Sequence, residues 1–135
     1  MTNQYRTIIA GGRDFNDYDY LRSCCLPIVD KLVIQYDVII MSGHAQGADL
    51  LGEQFANERG LKLEVYPADW KAHWRSAGFR RNEKMGDIAD GLIAFWDGRS
   101  HGTQHMIEYG KSKGLDVHVF SYNTKECEDD STRNI

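Results

Sequence analysis

Five short apolar runs, each ended by glycine or a polar turn, constrain this chain more than any other feature. They are RTIIAG (6–11), DVIIMSG (37–43), KLEVYP (62–67), GLIAFWD (91–97) and DVHVFS (116–121). Rich in β-branched and aromatic residues, they read as buried strands. The segments between them have helical spacing. In 17–36, Leu21, Cys25, Ile28 and Leu32 recur at three- and four-residue steps, with a kink expected at Pro27. Ala48, Leu51 and Phe55 form a similar stripe in 47–59, where Gly60 supplies a stop. Segments 79–89 and 102–113, the latter closed by Gly114, are shorter helix candidates. Alternating strands and helices with continuously apolar strands predict an α/β domain. Its expected form is a Rossmann-like, doubly wound, mainly parallel five-stranded sheet with helices on both faces. One such domain is expected over 1–122, followed by a polar, disordered tail over 123–135.

Charge narrows the partners. The 16 basic and 20 acidic residues give a net charge of −4. The tail carries −2 of this, through Lys125 and Arg133 against Glu126, Glu128, Asp129 and Asp130. A domain gripping duplex DNA by its phosphates needs a basic excess, so duplex DNA is not an expected partner. A small anionic ligand held by a few local groups remains compatible. No apolar run approaches the ~20 residues of a membrane span. The start, MTNQYRTIIAGGRD, lacks a secretory signal's basic and apolar regions. No membrane association and a cytoplasmic location are therefore expected. Cys24, Cys25 and Cys127 form no CxxC spacing and are expected to be reduced.

Ligands of open α/β sheets sit beyond the carboxyl ends of the strands, which directs attention to four loops. After the first run, Gly11 and Gly12 permit close backbone approach and Arg13 offers a cationic fork. After the second, Ser42 and Gly43 end the strand. Gly47, Ala48 and Asp49 then open a helix whose unpaired N–H groups would favour an anion. Asp49 either caps that helix or meets a ribose hydroxyl. After the third, Lys71, Arg75, Arg80, Arg81 and Lys84 alternate with Trp74 and Phe79. That stretch suits a lid that stacks a base and clamps phosphate, or a single-strand groove. After the fourth, Asp97, Gly98, Arg99, Ser100 and His101 form a turn, and Gly102 and Thr103 start a helix. His101 and His105 share a helix face, but no third ligand stands at metal spacing, so no metal and no cofactor are expected. Neither a P-loop nor a GxSxG elbow is present.

Taken together, GGRDF, SGHAQGADLLGEQFA, YPADW, AGFRRNEKM and LIAFWDGRSHGT resemble the YspA-type branch of the SLOG superfamily, from about Gly11 to about Val119. The superfamily includes the LOG proteins, which remove ribose phosphate from cytokinin nucleotides, and DprA, which binds single-stranded DNA. The resemblance implies a Rossmann-like fold, a nucleotide or NAD-derived ligand, and a homo-oligomer (dimer or tetramer). Against the LOG pattern, Arg81 and Met85 match an Arg-Lys-x-x-Met stretch, with Asn82 in place of Lys. Ala89-Asp90 match the next element, and Gly98, Gly102 and Thr103 match the glycine-rich turn. Where LOG enzymes place a catalytic Glu, three residues after the Thr, this chain has Met106. A thioether neither activates water nor stabilises an oxocarbenium-like centre. Glu108 lies about 200° further around a helix.

The leading expectation is therefore a binding module. A nucleotide-derived ligand (nucleotide, ADP-ribose or NAD-derived signal) would sit at the strand ends. Gly43, Gly47, Gly102 and Thr103 would cradle phosphate, Arg13 and Arg81 would neutralise it, and Asp49 or Asp97 would meet a sugar hydroxyl. The alternative is a LOG-type nucleotide hydrolase in which Asp97, Asp49 or His105 replaces the missing Glu. The third is DprA-type single-strand binding through Lys71–Lys84.

Overall fold

The computed structural model describes residues 3–122, so the expected tail and Cys127 lie outside the described residues. The chain runs β1 (Asn3–Gly11), α1 (Tyr18–Gln35), β2 (Tyr36–Ser42), α2 (Ala48–Glu58), β3 (Lys62–Val65) and α3 (Trp70–His73). A 3-10 turn (Trp74–Ser76) leads into α4 (Ala77–Ile88), β4 (Gly91–Trp96), α5 (His101–Ser112) and β5 (Asp116–Ser121). The five strands form one sheet in the order β3-β2-β1-β4-β5, and every neighbouring pair is parallel. β1 is central. The chain winds outward through β2 to β3, then crosses back to lay β4 on the other side of β1.

Alternation along the strands sorts the core into two layers. Ile9, Ile93 and Phe95 point to the side of α1 and α2, packing with Leu21, Cys25 and Phe55. Ile8, Leu92 and Ala94 point to the other side, with Met85, Met106 and Ile107 of α4 and α5. Helices cover both faces, as the sequence requires. Phe95 lies at the centre of the first layer, with ring centroids 5.1 Å from Phe15, 5.6 Å from Phe120 and 6.0 Å from Tyr20.

Local signals explain most boundaries. Asp17 caps α1, accepting the Tyr20 N–H at 3.1 Å. Pro27 lies inside a single helix that continues to Gln35. Gly60 follows α2 at φ +65° and Gly114 follows α5 at φ +75°, left-handed positions where glycine carries no Cβ penalty. The sequence does not announce α3. Asp69 nucleates it by accepting the Ala72 N–H at 3.1 Å, turning part of an expected loop into helix.

Phe95→Ala removes the ring that three other aromatics pack against. It should cost about 3–5 kcal/mol of stability, read by urea unfolding.

Candidate functional site

The registers of β1 and β4 end together, at Gly11 opposite Phe95. The loops leaving these strands part there and open a cleft of about 440 Å³. A second lobe of about 560 Å³ adjoins it, and Arg13, Ala45, Trp70 and Arg81 line both.

The first loop turns tightly against its neighbours. The Gly12 N–H donates to the Phe95 carbonyl at 3.1 Å, and the Gly12 carbonyl accepts from Phe15 at 3.3 Å and Ala48 at 3.2 Å. A Cβ on Gly11 would lie 2.7 Å from the Ala48 Cβ. At Gly47, φ is +86° and a Cβ would lie 2.7 Å from the Arg13 carbonyl carbon. These glycines dock the start of α2 onto the first loop. The expected open anion site at Gly47-Ala48-Asp49 is therefore corrected in part. Ala48 is fully buried, its N–H is taken by the chain's own Gly12 carbonyl, and neither Gly47 nor Ala48 lines the cleft. Ser42 is fully buried too. Its hydroxyl lies 2.7 Å from Glu53 Oε2 and 3.3 Å from the Asp49 carbonyl, and accepts the His44 N–H at 3.0 Å.

Asp49 does reach the site. The residue is 5% exposed, and its carboxylate accepts the Ala45 N–H at 3.2 Å and the Gly11 N–H. Burial pushes its pKa up to about 6, against the opposing pull of Arg81 and those two N–H groups. Arg81 reaches in from α4. Its Nη1 donates to the Gly43 carbonyl and its Nε to Asn82 Oδ1 at 3.0 Å. A Cβ on Gly43 would lie 2.7 Å from the Arg81 Cζ and 2.8 Å from Asp49 Oδ2, so only glycine admits this approach. Burial lowers the pKa of Arg81; Asp49 raises it, and the neighbouring guanidinium of Arg13 lowers it further. No carboxylate lies within 4 Å of either arginine's nitrogens among the described residues.

Asn82 ties the two sides of the cleft together. Its amide nitrogen donates to the Gly102 carbonyl at 3.2 Å, at the start of α5. There Ser100 caps the helix, accepting the Thr103 N–H at 3.4 Å and lying 3.1 Å from the Thr103 hydroxyl. Asp97 Oδ1 accepts the Arg99 and Ser100 N–H groups, both at 2.8 Å, which holds its carboxyl below the usual range. Gly98 makes the turn at φ +84° without lining the cleft. The His101 and Gly102 N–H groups have no partner among the described residues, leaving two donors at this helix start.

Of the residues expected at the site, Gly11, Gly12, Arg13, Asp49, Arg81 and Asn82 line the cleft, as do Asp97, Ser100, Gly102 and Thr103. Gly43 lines the second lobe. Met106 is buried and forms part of the lining, while Glu108 is exposed and accepts from Gln104 at 3.3 Å. His105 does not line the cleft; its ring packs tilted against Phe79, with centroids 4.4 Å apart, and lies 3.4 Å from both Asn82 and Glu83. In the basic stretch, Arg75 and Phe79 line the cleft, but Lys84 lies over Tyr66 and Arg80 bonds Ser76. Sequence reasoning missed Trp70, which stands 5.8 Å beneath the Arg13 guanidinium, because the site sees it only through the unannounced α3. It also missed His44. Among the described residues, no group of three or more His, Cys, Asp or Glu could hold a metal, and no helix is long and apolar enough to cross a membrane.

Comparison with known proteins adds three findings. The model of the YspA, cpYpsA-related SLOG family matches residues 5–73. The Gene 61 protein of Mycobacterium phage D29 is 34% identical over 119 residues, covering 83% of this chain and 93% of that protein. The fold matches DNA processing protein A (DprA) from Streptococcus pneumoniae with a TM-score of 0.66 at 16% identity. That match covers 87% of this chain, which spans half the length of the DprA chain.

The buried Asp49 gives the fold a pH signature. Its folded pKa lies above the ~3.9 of an unfolded aspartate, so the folded state binds the extra proton between about pH 4 and 6. Stability from this group is present at low pH and is lost as pH rises through 6, by on the order of 2–3 kcal/mol. The difference in urea-unfolding free energy between wild type and Asp49→Asn should fall across that window and stay flat above it.

Proposed function

The chain belongs to the YspA, cpYpsA-related SLOG family, and from that premise we propose that it binds a nucleotide-derived small molecule, such as a nucleotide, ADP-ribose or an NAD-derived signal, in the cleft beyond β1 and β4. The observation that carries this reading is that Arg13 and Arg81 line the same two lobes. Neither guanidinium has a carboxylate within 4 Å among the described residues, so an anion lying between them would meet two cationic forks.

The surrounding groups suit the rest of such a ligand. The Gly102 N–H, with the Ser100 and Thr103 hydroxyls, forms the second half of a phosphate cradle. Half-exposed Trp70 and Phe79 offer faces on which a base stacks. Asp97 is placed to accept a sugar hydroxyl. Asp49 lies deeper and acts by positioning Arg81 rather than by touching sugar. With Met106 at the LOG glutamate position, this lobe holds its ligand and lacks LOG-type glycosidic chemistry. Single-strand binding of the DprA kind is the weaker reading, because Arg80 and Lys84 are turned toward the protein's own side chains.

Isothermal titration against AMP, ADP, ADP-ribose and NAD tests the proposal. At least one should bind, and Arg81→Gln should weaken it by about 10- to 100-fold, the worth of a charge-assisted hydrogen bond. No heat of binding at millimolar ligand would overturn the reading.

A further inference from the structure

The second lobe holds a constellation that the phosphate cradle leaves unused. His44 lines it, with its side chain 53% exposed, and its Nδ1 lies 2.8 Å from Oε2 of Glu53, which is only 15% exposed. The same oxygen lies 2.7 Å from the Ser42 hydroxyl, and that hydroxyl accepts the His44 N–H at 3.0 Å. A carboxylate on Nδ1 selects the Nδ1–H tautomer, leaving the Nε2 lone pair as the ring's basic site. His44 is also held at φ +60°, an uncommon conformation for a residue other than glycine. Glycine would adopt it without strain. The imidazole stands next to Gly43, whose carbonyl receives Arg81, and Arg13 and Arg81 line the same lobe.

We propose that His44, oriented by Glu53, is a general base in the second lobe, directed at a phosphate ester whose charge Arg13 and Arg81 neutralise. The proposal rests on the reading of the cleft as a nucleotide site: the nucleoside occupies the Trp70–Phe79 lobe and its phosphate lies across the two arginines. A water on the His44 side loses a proton to Nε2 as its oxygen bonds to phosphorus. The bond from phosphorus to the leaving oxygen on the opposite side breaks, and its electron pair stays on that oxygen, which takes a proton from solvent. The imidazolium gives its proton back to solvent. The products are phosphate and an alcohol (or a shorter phosphate from an anhydride), and water is the only co-reactant. Glu53 is a positioning residue: it orients the ring and stabilises the imidazolium without touching substrate.

Phosphate release from AMP, ADP and p-nitrophenyl phosphate, alongside titration of AMP and ADP, tests this. Wild type should release phosphate from at least one of the three. His44→Asn and His44→Gly both accept the left-handed backbone, so both should fold, with melting temperatures at or above wild type for the glycine variant. Each should cut turnover about 10²- to 10⁴-fold, the usual worth of a general base, with nucleotide affinity within about 3-fold of wild type. Glu53→Gln should lower kcat with little change in KM, a split that a merely structural role would not produce. Nucleotide binding without phosphate release, or undiminished turnover in both His44 variants, overturns the role of His44 alone. No binding and no release overturn the nucleotide reading as well.

Discussion

β1 occupies the middle of the sheet, with β2 hydrogen-bonded along one edge and β4 along the other. After β3 the chain has to return across the sheet, so the loops after β1 and β4 leave their neighbouring strands in opposite directions. The gap between them cannot be closed by either loop, and the cleft lies there. Its closeness to the backbone depends on Gly11 and Gly12, where added side chains would collide with Ala48 and Tyr122. A sheet with β4 beside β3 would leave the same residues without a shared crevice.

Within that crevice, burial governs the electrostatics. Asp49 and Arg81 are both shifted toward their neutral forms by desolvation, and each partly restores the other's charge across Gly43. They lie beyond ion-pair distance, so the attraction acts across space rather than through a direct contact. Arg13 then adds a like charge at the rim, stacked over Trp70. At Arg81 the attraction of Asp49 outweighs the repulsion of Arg13, and burial remains the larger influence on its charge.

The layers, the parallel strands and most of the cleft lining were legible in the sequence, because apolar period and glycine placement are local signals. β5 agrees with its apolar run to the residue, and Asp17, Gly60 and Gly114 mark helix ends through their own backbone preferences. What escaped depends on contacts between distant segments. Nothing near Ala48 shows that its N–H is spent on Gly12, thirty-six residues earlier. Trp70 becomes part of the site only once Asp69 has nucleated α3. The pairing of His44 with Glu53 spans a loop and two helical turns, and its hydrogen bonds arise only after α2 packs on β2. His105, by contrast, looked available from its helical spacing, yet Phe79 and Asn82 occupy its ring.

The sequence by itself determined the α/β class and the two-sided core, since these follow from residue type and short-range periodicity. Only the tertiary structure decided which helix start stays open. α2 is sealed by a carbonyl from the first loop, whereas α5 begins with two N–H groups that have no partner among the described residues, and its Gly102 lines the cleft. The physical reason is that an N–H group's partner is chosen by whichever acceptor the packed chain brings within 3.5 Å, and that choice is made across the sheet rather than along the chain.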